Sequence, residues 1–158
     1  MRKPSIRVLA SALGIFAGLG GASHGPGEIL QGNVAPNGVI IKAWPGLSSL
    51  NGEPAMTIAP SFLVTGILAI IFGIIVAVWA GAFVHRRYGG LLLVLLSITM
   101  LLVGGGIVPP LLGIVAGVVG TQWAAAFVQR KYGGLTLILL STIFVISATM
   151  LLTTVLEA

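Results

Sequence analysis

The phrase Phe83-Val-His-Arg-Arg-Tyr-Gly-Gly-Leu91 returns 44 residues later as Phe127-Val-Gln-Arg-Lys-Tyr-Gly-Gly-Leu135, and each copy lies between two long apolar runs. The likeness reaches outward. Between 79–97 and 123–141, 14 of 19 positions are identical, Trp79/Trp123 and Ser97/Ser141 among them. Leu68, Ile70 and Gly73 recur as Leu112, Ile114 and Gly117. A basic, glycine-ended phrase between apolar runs reads as a turn between membrane helices, because a Lys/Arg pair resists transfer through hydrocarbon. Repeated in one direction, it predicts a helical hairpin duplicated in tandem, its copies related by an axis along the membrane normal.

Composition agrees that lipid is the solvent. Charged residues are 7% of the 158 and hydrophobic residues 57%, where a soluble domain carries about a quarter charged residues. Mean hydropathy is +1.13. The eight Lys and Arg stand in short clusters at expected helix ends, so the high pI argues for membrane orientation and against nucleic acid. Cysteine is absent, which excludes disulfides, thiolate metal sites and cysteine nucleophiles.

The expected fold is all-α, a polytopic membrane helical bundle of five transmembrane helices, or four if the first is a cleaved signal peptide. Residues 1–22 are that first helix or signal peptide. The apolar run Val8–Ala22 is short of the roughly 20 residues a span needs, and small residues at Gly20 and Ala22 suit cleavage. Gly14-x-x-x-Gly18 favours retention, as a close-packing face for another helix. Residues 23–57 form an extracytoplasmic Gly/Pro-rich segment with turns at Asn37-Gly38 and Asn51-Gly52. In it, Val39-Ile40-Ile41 followed by Trp44 makes a short strand or an interfacial contact.

Residues 58–158 form a four-helix membrane domain, repeat 1 over about 60–108 and repeat 2 over about 109–156. Pro60 opens its first span, which runs to Val84. Leu91–Val108, Leu111–Val128 and Leu135–Leu156 follow, with Pro109-Pro110 breaking the chain between hairpins. Arg2, Lys3, Arg7, Arg86, Arg87, Arg130 and Lys131 fall on one side of this arrangement and only Lys42 on the other. The expected orientation therefore has the N-terminus cytoplasmic, if the first span is retained, and the C-terminus extracytoplasmic.

The basic turns Arg86, Arg87, Tyr88 and Arg130, Lys131, Tyr132 set topology and face lipid headgroups. Gly89-Gly90 and Gly133-Gly134 supply positive φ for the reversal. Gly66, Gly73, Ala77 and Gly81 form a small-residue stripe on one helix, and Gly113, Gly117, Thr121 and Ala125 a matching one, so the two helices are expected to touch along them. Gly104-Gly105-Gly106 lacks the Lys and Ser/Thr of a phosphate loop and is read as backbone packing near Pro109-Pro110. Ser97, Thr99 and their counterparts are expected to bond to their own helix carbonyls.

His24 and Glu28 are the one pair with chemical potential. Gly25-Pro26-Gly27 between them argues against a continuous helix, and the pair reads as a polar site on the outer face. No catalytic residue, metal ligand or cofactor is assigned, since no hydrolase elbow or zinc-protease motif occurs.

The phrases His24–Asn33, Phe62–Ile70 and Phe127–Leu135 resemble those of small prokaryotic membrane proteins of uncharacterised type. That resemblance implies a prokaryotic plasma-membrane protein and favours keeping the first span. Three functions remain open. The first is a non-enzymatic structural or accessory bundle, self-associating or binding a membrane-protein partner. The others are a passive channel or small-solute transporter using Ser/Thr and Gln122, and a sensor or enzyme acting through His24 and Glu28.

Overall fold

The computed structural model describes residues 5–44 and 54–121. Among them the order is α1 (Ser5–Ile29), β1 (Ile40–Lys42), β2 (Pro54–Met56), α2 (Phe62–Ala82), α3 (Gly89–Leu102) and α4 (Val108–Gly120). The arrangement is a helical bundle with a two-stranded ribbon at one end. The second copy of the basic phrase, with Arg130, Lys131, Tyr132 and Ala125, lies outside the described residues.

The helix α1 continues past Ala22, through Gly25-Pro26-Gly27, to Ile29. This corrects the expected break there. Pro26 removes one ladder hydrogen bond, yet packing against α2 holds the last turns helical. Gly25 lies against the Gly66 carbonyl and Ile70, and Gly66 against the Gly25 carbonyl and Ile29. The ladder resumes with Leu30 N–H donating to the Pro26 carbonyl at 3.0 Å.

The whole α1–α2 contact has this character. Gly14 meets Ala80, and Gly18 meets Ala77 and Gly73, where an added β-carbon would stand 2.5 Å from the Gly73 oxygen. Residues rising along α1 meet residues falling along α2, so the two helices are antiparallel. Small residues allow such backbone contact, and dispersion is gained over the pair's whole length.

The small-residue stripes therefore have different partners from those expected. Gly66, Gly73 and Ala77 face α1, while Gly113 and Gly117 face Ser97, Gly90 and Val94 of α3. The α2 and α4 stripes do not meet each other. Gly81 is looser, an added β-carbon there lying 3.5 Å from Ile15. Thr121 is the C-cap of α4.

Ser61 caps α2 at its N-terminus, its Oγ accepting from the Val64 N–H at 3.4 Å; this is a standard cap, and it places Pro60 ahead of the helix rather than in its first turn. Pro109 and Pro110 lie in the first turn of α4, not in a break before it, where their missing N–H groups are not needed. Gly89 and Gly90 begin α3, and neither has positive φ. Their smallness serves contact instead: Gly90 lies against the Gly117 carbonyl and Thr121 N–H of α4. Ser97 and Thr99 do bond to their own helix, donating to Leu93 at 2.8 Å and Leu95 at 3.0 Å.

Leu13, Val76, Ala80, Val84, Leu93, Met100 and Ala116 make the buried core. Among the described residues two helices are long and apolar enough to cross a membrane: α1 over Ile6–Ile29, with mean hydropathy 1.5, and α2 over Phe62–Ala82, with 2.8. On α2 the outward residues Ile67, Ile71, Ile74 and Val78 are exposed. At 14 and 13 residues, α3 and α4 reach about 20 Å and are shorter than the expected spans. The ribbon pairs β1 with β2 antiparallel, Ile41 opposite Ala55, so the Val39-Ile40-Ile41 stretch contributes a strand.

Candidate functional site

Continuity of α1 brings His24 and Glu28 together. Four residues apart, they share one helical face, and both are buried, 1% and 0% exposed. Helix α1 carries that face to the end of the bundle remote from Arg7 and Arg86. The antiparallel neighbour α2 brings Ser61 and Thr65 to the same end, and both are buried.

The roof comes from the segment after α3. Gly104 has φ +96° and Gly106 φ +76°, a region that costs other L-residues roughly 1–2 kcal/mol. A β-carbon on Gly104 would lie 2.5 Å from Glu28 Oε2 and 2.7 Å from Oε1; one on Gly106 would lie 2.5 Å from His24 Nε2. The triplet Gly104-Gly105-Gly106 is thus the lid of the pair, not packing for Pro109-Pro110. Gly105 alone packs elsewhere, on Met100. The lid is tied down by an isolated antiparallel bridge between Thr57 and Val103: Gly104 N–H donates to the Met56 carbonyl at 2.9 Å, and Ile58 N–H to the Leu102 carbonyl at 3.0 Å.

Two buried threonines lie beside the pair but do not serve it. Thr65 Oγ1 donates to the Ser61 carbonyl at 2.9 Å, so its single hydroxyl hydrogen is committed. Thr57 Oγ1 must then donate to Thr65 Oγ1, 2.9 Å away, while accepting from the Ala59 N–H at 3.0 Å. Toward Gly104, and so toward Glu28, Thr65 presents its methyl group. Among the described residues neither Glu28 oxygen has a hydrogen-bond partner. Leaving a buried carboxyl unsatisfied costs several kcal/mol if it is ionised.

The ribbon closes the third side. Trp44 lies on Gly27 and donates its indole N–H to the Ser23 carbonyl at 3.2 Å. The two N–H groups of Gln31 Nε2 are shared among the Gly27, Lys42 and Ala43 carbonyls, at 3.1, 2.9 and 3.1 Å. Lys42 itself is exposed. Among the described residues no group of three or more His, Cys, Asp or Glu could hold a metal ion. The imidazole and the carboxyl thus lie one turn apart on one buried face, with no hydrogen bond between them.

Arg86, Arg87 and Tyr88 lie at the opposite end, in the turn between α2 and α3. There Ser11 Oγ of α1 donates to the Ala80 carbonyl at 2.9 Å and lies 3.3 Å from His85 Nε2. Sequence reasoning missed Thr57, Thr65, Gly104, Gly106 and Trp44 as neighbours of the pair. The one available signal was the glycine triplet itself, an unusual cluster directly after an apolar helix.

No family model, curated protein or solved structure matches the chain.

Proposed function

We propose that this is an integral membrane protein of the prokaryotic plasma membrane whose activity passes through the His24–Glu28 pair as a proton-responsive site. One observation carries the reading: a fully buried carboxyl, with neither oxygen hydrogen-bonded among the described residues, lies directly beneath a left-handed glycine. A helix end that served packing alone would be more stable with an apolar side chain there. Ionisable groups buried within apolar helices mark function by default. Among the described residues the groups around Glu28 are His24 on its own helix, Thr65 from α2, Thr57 after β2 and the Gly104 backbone, and none of the last three supplies a charge.

This reading adopts five spans as part of the proposal, with the basic turns cytoplasmic and the His24–Glu28 end extracytoplasmic. The pair then samples the outer proton concentration. The accessory-bundle reading has less support, because the glycine faces offered for self-association are occupied within the chain. The passive-path reading draws on hydroxyls that Ser97 and Thr99 commit to their own helix.

Trp44 provides the test, since its indole lies against the turn that carries the pair. In the full chain with Trp79 and Trp123 changed to Phe, Trp44 emission should titrate with external pH, and Glu28→Gln should abolish that titration. An emission spectrum indifferent to pH, or the same curve in Glu28→Gln, removes the proposal.

A further inference from the structure

The opposite end of the bundle holds a second feature that the His24–Glu28 pair does not explain. An open cleft of about 450 Å³ lies where α2 turns into α3, lined by Trp79, Phe83, Arg86, Arg87, Tyr88 and Leu92. That is room for a small polar headgroup. Its floor is aromatic: the Trp79 and Phe83 rings are 4.9 Å apart and tilted by 35°. The indole N–H is fixed inward, donating to the Gly89 carbonyl at 3.0 Å, so Trp79 offers its ring as a rigid wall.

Both cations are poised over rings rather than paired with acids. The Arg86 guanidinium carbon is 5.9 Å from the Phe83 centroid, and that of Arg87 is 5.1 Å from the Tyr88 centroid. The only described carboxyl side chain, Glu28, is at the far end of the bundle. Stacking keeps an arginine's plane oriented while leaving its N–H fork available to an oxyanion. Below the cleft the outward faces of α2 and α3 are apolar, with Val78 58% and Leu95 51% exposed. Positive charge above, aromatic rings at the rim and an exposed apolar track beneath are the order of groups in a phospholipid leaflet.

We propose that this cleft binds one anionic phospholipid. Arg86 and Arg87 take the phosphodiester, Trp79 and Phe83 flank the glycerol region, and an acyl chain runs along Leu92 and Leu95. The site is independent of the His24–Glu28 pair and depends only on the chain residing in a bilayer. The recurrence of Trp, Phe, two cations and Tyr at 123, 127 and 130–132 makes an equivalent second site an expectation of the sequence.

The experiment is native mass spectrometry of the full chain released from bilayers mixing phosphatidylglycerol with phosphatidylcholine. Wild type should retain phosphatidylglycerol selectively, and the retention should fall as salt is raised. Arg86→Gln with Arg87→Gln should weaken the lipid roughly ten-fold or more, and each chain should carry one fewer retained lipid. Trp79→Leu, which keeps both charges, should weaken retention while leaving its salt dependence in place. Excess inorganic phosphate should not displace the lipid; displacement by phosphate alone would mean a free-anion site and overturn the proposal. Equal retention of the two lipids by wild type overturns it without reference to any variant. So does undiminished phosphatidylglycerol on a folded double variant.

Discussion

A β-carbon on Gly104 would stand 2.5 Å from Oε2 of Glu28, so the glycine and the carboxyl compete for one space although 76 positions separate them in the chain. Gly104→Ala should destabilise the protein by about 2–4 kcal/mol, combining left-handed strain with the clash. Shortening the opposing side chain in Gly104→Ala/Glu28→Ala should return part of that loss. Thermal unfolding in detergent measures both, and strictly additive costs would break the link.

Glu28→Met should raise stability by about 1–3 kcal/mol, because it fills the same volume without a polar group to desolvate. The same variant should lose the pH response of Trp44. Gain of stability together with loss of response is the signature of a site kept at the expense of the fold. A destabilised Glu28→Met would instead identify the carboxyl as a structural anchor.

Glycines on α2 should separate cleanly by their neighbours. Gly73→Val forces α1 and α2 apart, since even one carbon meets the Ala22 N–H and Gly18 carbonyl at 2.6 Å, and should cost about 3 kcal/mol or more. Gly81→Ala has ordinary contact with Ile15 and should stabilise by about 0.5–1 kcal/mol through helix propensity. Equal effects at the two positions would contradict the α1–α2 interface.

Trp79→Phe keeps an aromatic wall but deletes the hydrogen bond to Gly89. It should lower stability by about 1 kcal/mol and loosen the start of α3, read as faster amide exchange at residues 89–92. Unchanged exchange there would mean that the indole does not hold the turn.

Part of this architecture is legible in the residues. The apolar run ending near Phe83 gives α2 almost whole, and Gly14-x-x-x-Gly18 marks the α1 face that meets another helix. The partner of that face is not legible, because small residues declare close approach without saying to what; α1 takes Gly66 and Gly73 where α4 was expected. Pro26 misleads for a related reason. Its local penalty is real, but tertiary contact through Gly25 and Gly66 outweighs it, and only then do His24 and Glu28 share a face. The candidate site stays hidden because its lid arrives from Gly104 and Gly106, far along the chain. Their backbone angle, which composition does not reveal, is what lets the loop lie on the pair.

Trp44, bonded to Ser23, and Gln31, bonded to Gly27, Lys42 and Ala43, fasten the ribbon to the last two turns of α1. Any displacement of the ribbon must therefore break these bonds or carry the last two turns of α1 along with it.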